Sequence, residues 1–250
     1  MVDKLSYIMD IGEQMLISGA EVHRVEDSVG RMCSALGAKR TDVFIITSNM
    51  IVTIIDSDGE NHTETRRITV SSTNIERLHR LNSLSRKICS DKPEAEEIKE
   101  DIKRIIEETS PYPTYAEIIA CALIAGCFTL FFGGGIAEAL ISFAVGSLVK
   151  LLIILMDRVF VNKIFEKFIC SFFACSAAFI AVKIGIVPLI DKIVIGNIMS
   201  LIPGIGLTNS LRDLFIGDSI AGVLRLIEAL LTALAITGGY FLFVCTLGGI

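Results

Sequence analysis

The chain has 250 residues, 52% of them hydrophobic, and a formal net charge of −5. That length admits one or two domains, and the hydrophobic share is well above that of an ordinary soluble protein. The acidic balance argues against nucleic acid as a partner, and seven cysteines, odd in number and without CxxC spacing, argue against a disulfide framework and give no zinc signature.

The charge is unevenly spread. Residues 1–114 carry 15 Lys+Arg and 20 Asp+Glu, whereas residues 115–250 carry eight of each sign. The uncharged runs Ile118–Ala137, Ile193–Leu211 and Ala229–Ile250 approach the ~20 residues that cross a ~30 Å hydrocarbon core. The break near Pro111-Tyr112-Pro113 divides an α+β cytosolic domain, 1–114, from an all-α membrane domain of about five transmembrane helices, 115–250. The opening MVDKLSYIMDIGEQ mixes charges with apolar residues and offers no signal-peptide core, so the first domain is expected to stay in the cytoplasm.

In chain order, Leu5, Ile8, Met9, Ile11, Met15 and Leu16 recur at helical spacing, and a second helix is expected over Glu21–Leu36 between Gly19 and Gly37. Val43–Ile55 is β-branched and predicts a strand or two, turning at Asp58-Gly59 and returning through His62 to Val70. Helices are expected again over Asn74–Cys89 and Glu94–Glu108, the latter with charge pairs joining Glu96 and Glu100 to Lys103 and Arg104. A small antiparallel sheet covered by helices follows from this order.

Five apolar helices are expected at about 115–132, 136–156, 164–183, 187–203 and 219–245. Arg158, Lys163, Lys167 and Arg212 fall in connections on the side of the first domain, against only Lys183 and Lys192 opposite. The positive-inside rule then places the N-terminus, with Cys33 and Cys89, in the cytoplasm, and Cys245 and Ile250 toward the outside.

Ile202–Leu214 interrupts an apolar run with Pro203, Gly204 and Gly206, and a half-helix is expected to restart at Thr208 or Asn209. Unwound backbone at membrane depth is tolerated only where protein or a water-filled cavity satisfies it. The positive end of a restarted helix can hold a carboxylate, with Arg212 and Asp213 one turn on. A plain loop with Asn209 as N-cap explains the same residues. Glu138, Arg225 and Glu228 are ionisable groups in apolar helices and therefore candidates for coupling, although Arg225 and Glu228, three apart, also suit mutual neutralisation. Lys150 reads as a snorkelling residue.

In the first domain, Gly19, Glu21, Arg24, Glu26 and Asp27 gather on one or two helical turns. His23 with Glu26 and Asp27 at i+3 and i+4 is a poor metal-ligand spacing beside a solvated, internally paired face, so no metal is expected. No HExxH, GxSxG, Walker A or GxGxxG occurs, which leaves no recognisable site for hydrolysis or nucleotide use, and no cofactor and no enzyme activity are expected.

Gly19-Ala-Glu-Val-His-Arg-Val-Glu-Asp27, the strand-like Phe44–Ile55, Asn74 with Leu78 and Leu81-Asn82, and Pro203–Leu214 with Gly217-Asp218, Gly222, Arg225 and Glu228-Ala229 together resemble the threonine/serine exporter family, in particular the larger subunit of its split, two-gene form. The resemblance implies a bacterial inner-membrane exporter of small carboxylates, typically threonine and serine, with succinate as the alternative cargo. Fused members have about twice as many membrane helices, so a second small membrane subunit is the expected partner besides substrate and lipid bilayer. A homo-oligomer that builds the path symmetrically is the alternative assembly. From another class, the residues also suit a membrane-anchored metabolite sensor or scaffold, although five spans with intramembrane charges exceed what an anchor needs.

Overall fold

The computed structural model describes residues 2–70, 72–110, 112–159 and 162–247. Pro111 of the expected domain break and Ile250, expected outside, lie outside the described residues. Two compact units are formed, one of Met1–Pro111 with Leu207–Leu226, the other of Tyr112–Gly206 with Ile227–Ile250.

In the first unit the order is α1 (Val2–Ile17), α2 (Val22–Ala35), β1 (Arg40–Ile46), β2 (Asn49–Ile55), β3 (Asn61–Arg67), α3 (Ile75–Asp91) and α4 (Ala95–Glu108). The strands form an antiparallel meander, β1-β2-β3, with Val52 opposite Val43 and Glu64. Alternation along β2 sends Met50, Val52 and Ile54 into the core, where Ile8, Met15, Val25, Met32, Leu81 and Ile98 from the four helices join them. Each such side chain stabilises the fold by ~1.5–3 kcal/mol through burial. Gly12 lets α1 lie on the sheet, because a Cβ there would stand 2.9 Å from the Met50 sulfur. The β2–β3 turn is built by Asp56, whose Oδ1 accepts from the amides of Asp58 and Glu60, with Gly59 at φ +89°.

The expected helices and the α+β character of this unit are present, with three strands where one or two and a return were expected. The pairs expected in α4 are not the ones formed. Glu96 binds Lys99 at 2.8 Å, and Arg104 turns to Asp101, which also receives Lys87 at 2.9 Å from α3. Cys33 is fully buried, and burial pushes its thiol up to about 12, so it is closed to thiol reagents while the chain is folded.

The second unit contains α5 (Thr114–Phe131), α6 (Ile136–Arg158), α7 (Lys163–Lys183) and α8 (Ile190–Met199); α9 (Gly204–Ile216) and α10 (Ser219–Thr246) contribute residues to both units. Among the described residues four helices, α5, α6, α7 and α10, are long and apolar enough to cross a membrane, and α8 with α9 makes a fifth if the interrupted pair counts as one span. Small residues set the spacing. A Cβ on Gly146 of α6 would stand 2.8 Å from the Ala125 Cβ of α5, and one on Gly196 of α8 would stand 2.7 Å from the Ala125 carbonyl oxygen. Close backbone approach through small side chains is how apolar helices associate where lipid removes the hydrophobic drive. Leu140, Leu148, Leu151, Leu155 and Leu234 remain exposed, as suits contact with lipid tails.

The helix expected over 187–203 is shorter. α8 ends at Met199, and α9 begins at Gly204, not at Thr208 or Asn209. Pro203 explains the difference. Its ring stops the preceding helix and its fixed φ leads into the next, so the first turn forms before a Thr or Asn cap is reached.

Candidate functional site

Within the first unit, two stretches far apart in sequence meet. Gly19, at φ +93°, ends α1 and turns the chain so that Glu21 is the N-cap residue of α2. The Glu21 carboxylate makes no capping bond and instead accepts from Arg212 of α9 at 2.6 Å. One residue on, Asp213 is fully buried and pairs with Arg225 of α10 at 3.2 Å, while the same guanidinium donates to the Ala20 carbonyl oxygen at 2.9 Å. Gly217, at φ +107°, closes α9, and the Asp218 amide donates back to the Asp213 carbonyl oxygen at 2.9 Å. The approach of α10 to α9 needs Gly222, because a Cβ there would stand 2.9 Å from the Leu214 backbone nitrogen.

Arg225 therefore neutralises Asp213 and not Glu228, which is exposed. Asp27 is occupied by Arg31 at 2.9 Å, and Arg24 is exposed. Glu26 turns inward, where its carboxylate accepts from the Ile45 amide at 2.9 Å. Burial pushes the Glu26 carboxyl up, against the lowering effect of that hydrogen bond. Its free side faces a partner that residue spacing along α2 could not reveal. His23, Glu26 and Asp218 present ligand atoms within 4.8 Å of one another.

The interrupted segment presents a different surface from the one expected. Gly204, Gly206 and Thr208 are exposed in the first turns of α9, Pro203 and Asn209 are half-buried, and a Cβ on Gly204 would meet nothing within 4 Å. Side chains at Gly204 have room, so obstruction of an unwound stretch is not their effect. The helix-start amides belong to Gly204–Leu207, one turn earlier than expected.

In the second unit Glu138 is buried and accepts from the Gly135 amide at 3.0 Å, capping α6. Lys150 does not simply snorkel but binds Glu117 of α5 at 2.8 Å. Sequence reasoning missed a polar layer among the apolar helices. Thr129 of α5 donates to Ala125 and lies 2.6 Å from Ser142 of α6, while Asn197 of α8 is 1% exposed with its Oδ1 unpartnered. A buried amide oxygen without a partner costs about 1–3 kcal/mol, and an Asn in an apolar run was the available signal. Glu166, 1% exposed between Lys163 and Lys167 at 3.2 Å each, was likewise not singled out.

Compared with known proteins, the family model of the threonine/serine exporters (ThrE) matches residues 6–248. No curated protein and no solved structure matches the chain.

Proposed function

The chain belongs to the threonine/serine exporter family, a family of membrane transporters, and from that premise we propose that it is one subunit of a secondary exporter that moves threonine, serine or a chemically similar small carboxylate out across a bacterial inner membrane. The observation that carries the location of the path is the break between α8 and α9. It follows Asn197, which lies two residues before the end of α8 and whose buried side-chain oxygen is unpartnered. Discontinuous helices bring their oppositely polarised ends to the path, where they favour the two charged ends of a zwitterionic substrate. Pro203, Gly204, Gly206, Thr208, Asn209, Arg212 and Asp213 are the residues assigned to this path.

Glu138 is the favoured coupling group, because a proton arriving there would release the cap on α6. Glu228 and Arg225 have less support, the first being exposed and the second held by Asp213. The sequence carries no Walker A loop, which favours an ion gradient over ATP as the driving force. Residues 1–114, with their net acidic charge, are assigned to the cytoplasm on the Lys/Arg asymmetry of the connections. The described residues contain one interrupted helix pair. Alternating access is commonly built from two related halves, which supports a second membrane subunit.

Proteoliposomes loaded with labelled threonine, serine or succinate, and containing the chain with or without a second family subunit, test this reading. Gradient-driven efflux of threonine and serine, strongest with both subunits, is expected. Full efflux from the chain alone would replace the two-subunit reading by a homo-oligomer, and efflux of succinate alone would reassign the cargo.

A further inference from the structure

From the geometry around the start of α2 we infer that His23, Glu26 and Asp218 form a binding site for a divalent transition-metal ion that ties α2 to the turn between α9 and α10. Their ligand atoms lie within 4.8 Å of one another, yet among the described residues no hydrogen bond or ion pair joins them. Ligand atoms on one ion with bonds of about 2.0–2.2 Å stand roughly 3–4.4 Å apart, so small side-chain rotations bring these three onto a shared ion.

Apart from His23 itself, no cation among the described residues pairs with either carboxylate. Arg212 is taken by Glu21, Arg225 by Asp213, and Arg31 by Asp27. Two carboxylates left facing each other without a cation raise the energy of the folded chain, and an ion between them removes that cost. A second observation points the same way. The Asp218 Oδ2 is buried without a hydrogen-bond partner, and so is one oxygen of the fully buried Asp213, whose backbone carbonyl holds the Asp218 amide. Polar atoms buried without partners mark places where a ligand completes the structure.

The surrounding structure orients the ligands. The Ile45 amide fixes one oxygen of Glu26 at 2.9 Å and leaves the other for the ion. Asp218 is held at both ends of its backbone, its amide on Asp213 and its carbonyl oxygen accepting from the Gly222 amide at 2.9 Å. Outer contacts of this kind set the aim of metal ligands. One imidazole and two carboxylates suit Zn2+ or Mn2+ better than Ca2+ or Mg2+, which prefer oxygen throughout. Three protein ligands leave positions open for water. The ion would cross-link residues of α2 to Gly217-Asp218, and so stiffen the turn that carries Arg212 and Asp213 on one side and Arg225 on the other.

The test uses the full chain in detergent, stripped with a chelator and titrated calorimetrically with Zn2+ or Mn2+ alone. Wild type should take up a single tight ion per chain, with binding weakened about tenfold or more in each of His23→Ala, Glu26→Gln and Asp218→Asn. Glu96→Gln, on the exposed face of α4, should bind as wild type does. Pulsed EPR of the Mn2+-loaded wild type should show an imidazole nitrogen that His23→Ala loses, and this reading needs no comparison of stabilities. No stoichiometric uptake by wild type, no nitrogen coupling, or unchanged affinity in His23→Ala would overturn the site. None of these readouts depends on export, so the exporter reading stands or falls separately.

Discussion

Glu21 and Arg212 are 191 positions apart in the chain and meet at 2.6 Å. Arg212 is therefore not a free cation awaiting a carboxylate substrate; any substrate carboxylate must compete with Glu21 for it. The pair is partly solvated, with the Arg212 side chain 59% exposed, so it adds no more than about 1 kcal/mol to stability. Arg212→Ala and Glu21→Gln should consequently leave expression and melting nearly unchanged and lower export. If the pair itself is what matters, the exchange Glu21→Arg with Arg212→Glu should recover export, as measured by efflux from loaded cells. Failure of the exchange together with wild-type behaviour of both single variants would show the contact to be incidental.

The neighbouring pair differs because it is buried. Asp213 is fully buried and Arg225 is 14% exposed, so removing one partner strands a charge at a cost of about 3–5 kcal/mol. Asp213→Ala and Arg225→Ala should each depress the melting temperature strongly. Asp213→Asn with Arg225→Met, which removes both charges, should recover much of the loss. A double variant as unstable as the sum of the singles would argue against a coupled pair.

Backbone approach makes a sharper contrast among glycines. Gly222→Ala places a Cβ 2.9 Å from the Leu214 nitrogen, which cannot move without shifting α9, and Gly196→Ala faces the Thr129 nitrogen at the same distance. Both should destabilise by about 1–3 kcal/mol and reduce yield. Gly204→Ala has open space and should be neutral or slightly stabilising through helix propensity. Thermal melts of the three purified variants would show the order, and a damaging Gly204→Ala would point to a backbone role at the break.

Asp56 supplies a pH dependence. The hydrogen bond from His62 at 2.9 Å holds its carboxyl below the usual carboxylate range, helped by the amides of Glu60 and Asp58. Since the folded value lies below the unfolded one, near ~3.9, the stabilisation is present above that value and is lost as pH falls through the folded value. The difference in melting temperature between wild type and Asp56→Asn should thus be largest near neutral pH and shrink below about pH 4. A gap that stays constant to pH 3 would mean that Asp56 stabilises the turn without its charge.

Local pattern carried much of the fold. The periodicity of Leu5, Ile8, Met9, Met15 and Leu16, the β-branched run through Ile55, and the charge-poor second half map onto α1, the sheet and the apolar helices because each is a property of neighbours in sequence. The start of α9 was misread because Thr208 and Asn209 are good caps, whereas Pro203 acts first. The meeting of Glu21 with Arg212, and of His23 and Glu26 with Asp218, has no local signature; single-residue spacing pointed to Asp27, which Arg31 occupies. Asn197 was passed over for a similar reason, since its burial and its lack of a partner depend on tertiary packing and not on neighbours in sequence.

The most direct measurement is amino-acid transport in everted membrane vesicles from the cells that encode this chain, with its gene intact or deleted. In such vesicles export appears as uptake. Gradient-dependent accumulation of labelled threonine and serine, abolished by deletion and by an uncoupler, is the predicted result. Equal accumulation in vesicles with and without the gene would contradict the account.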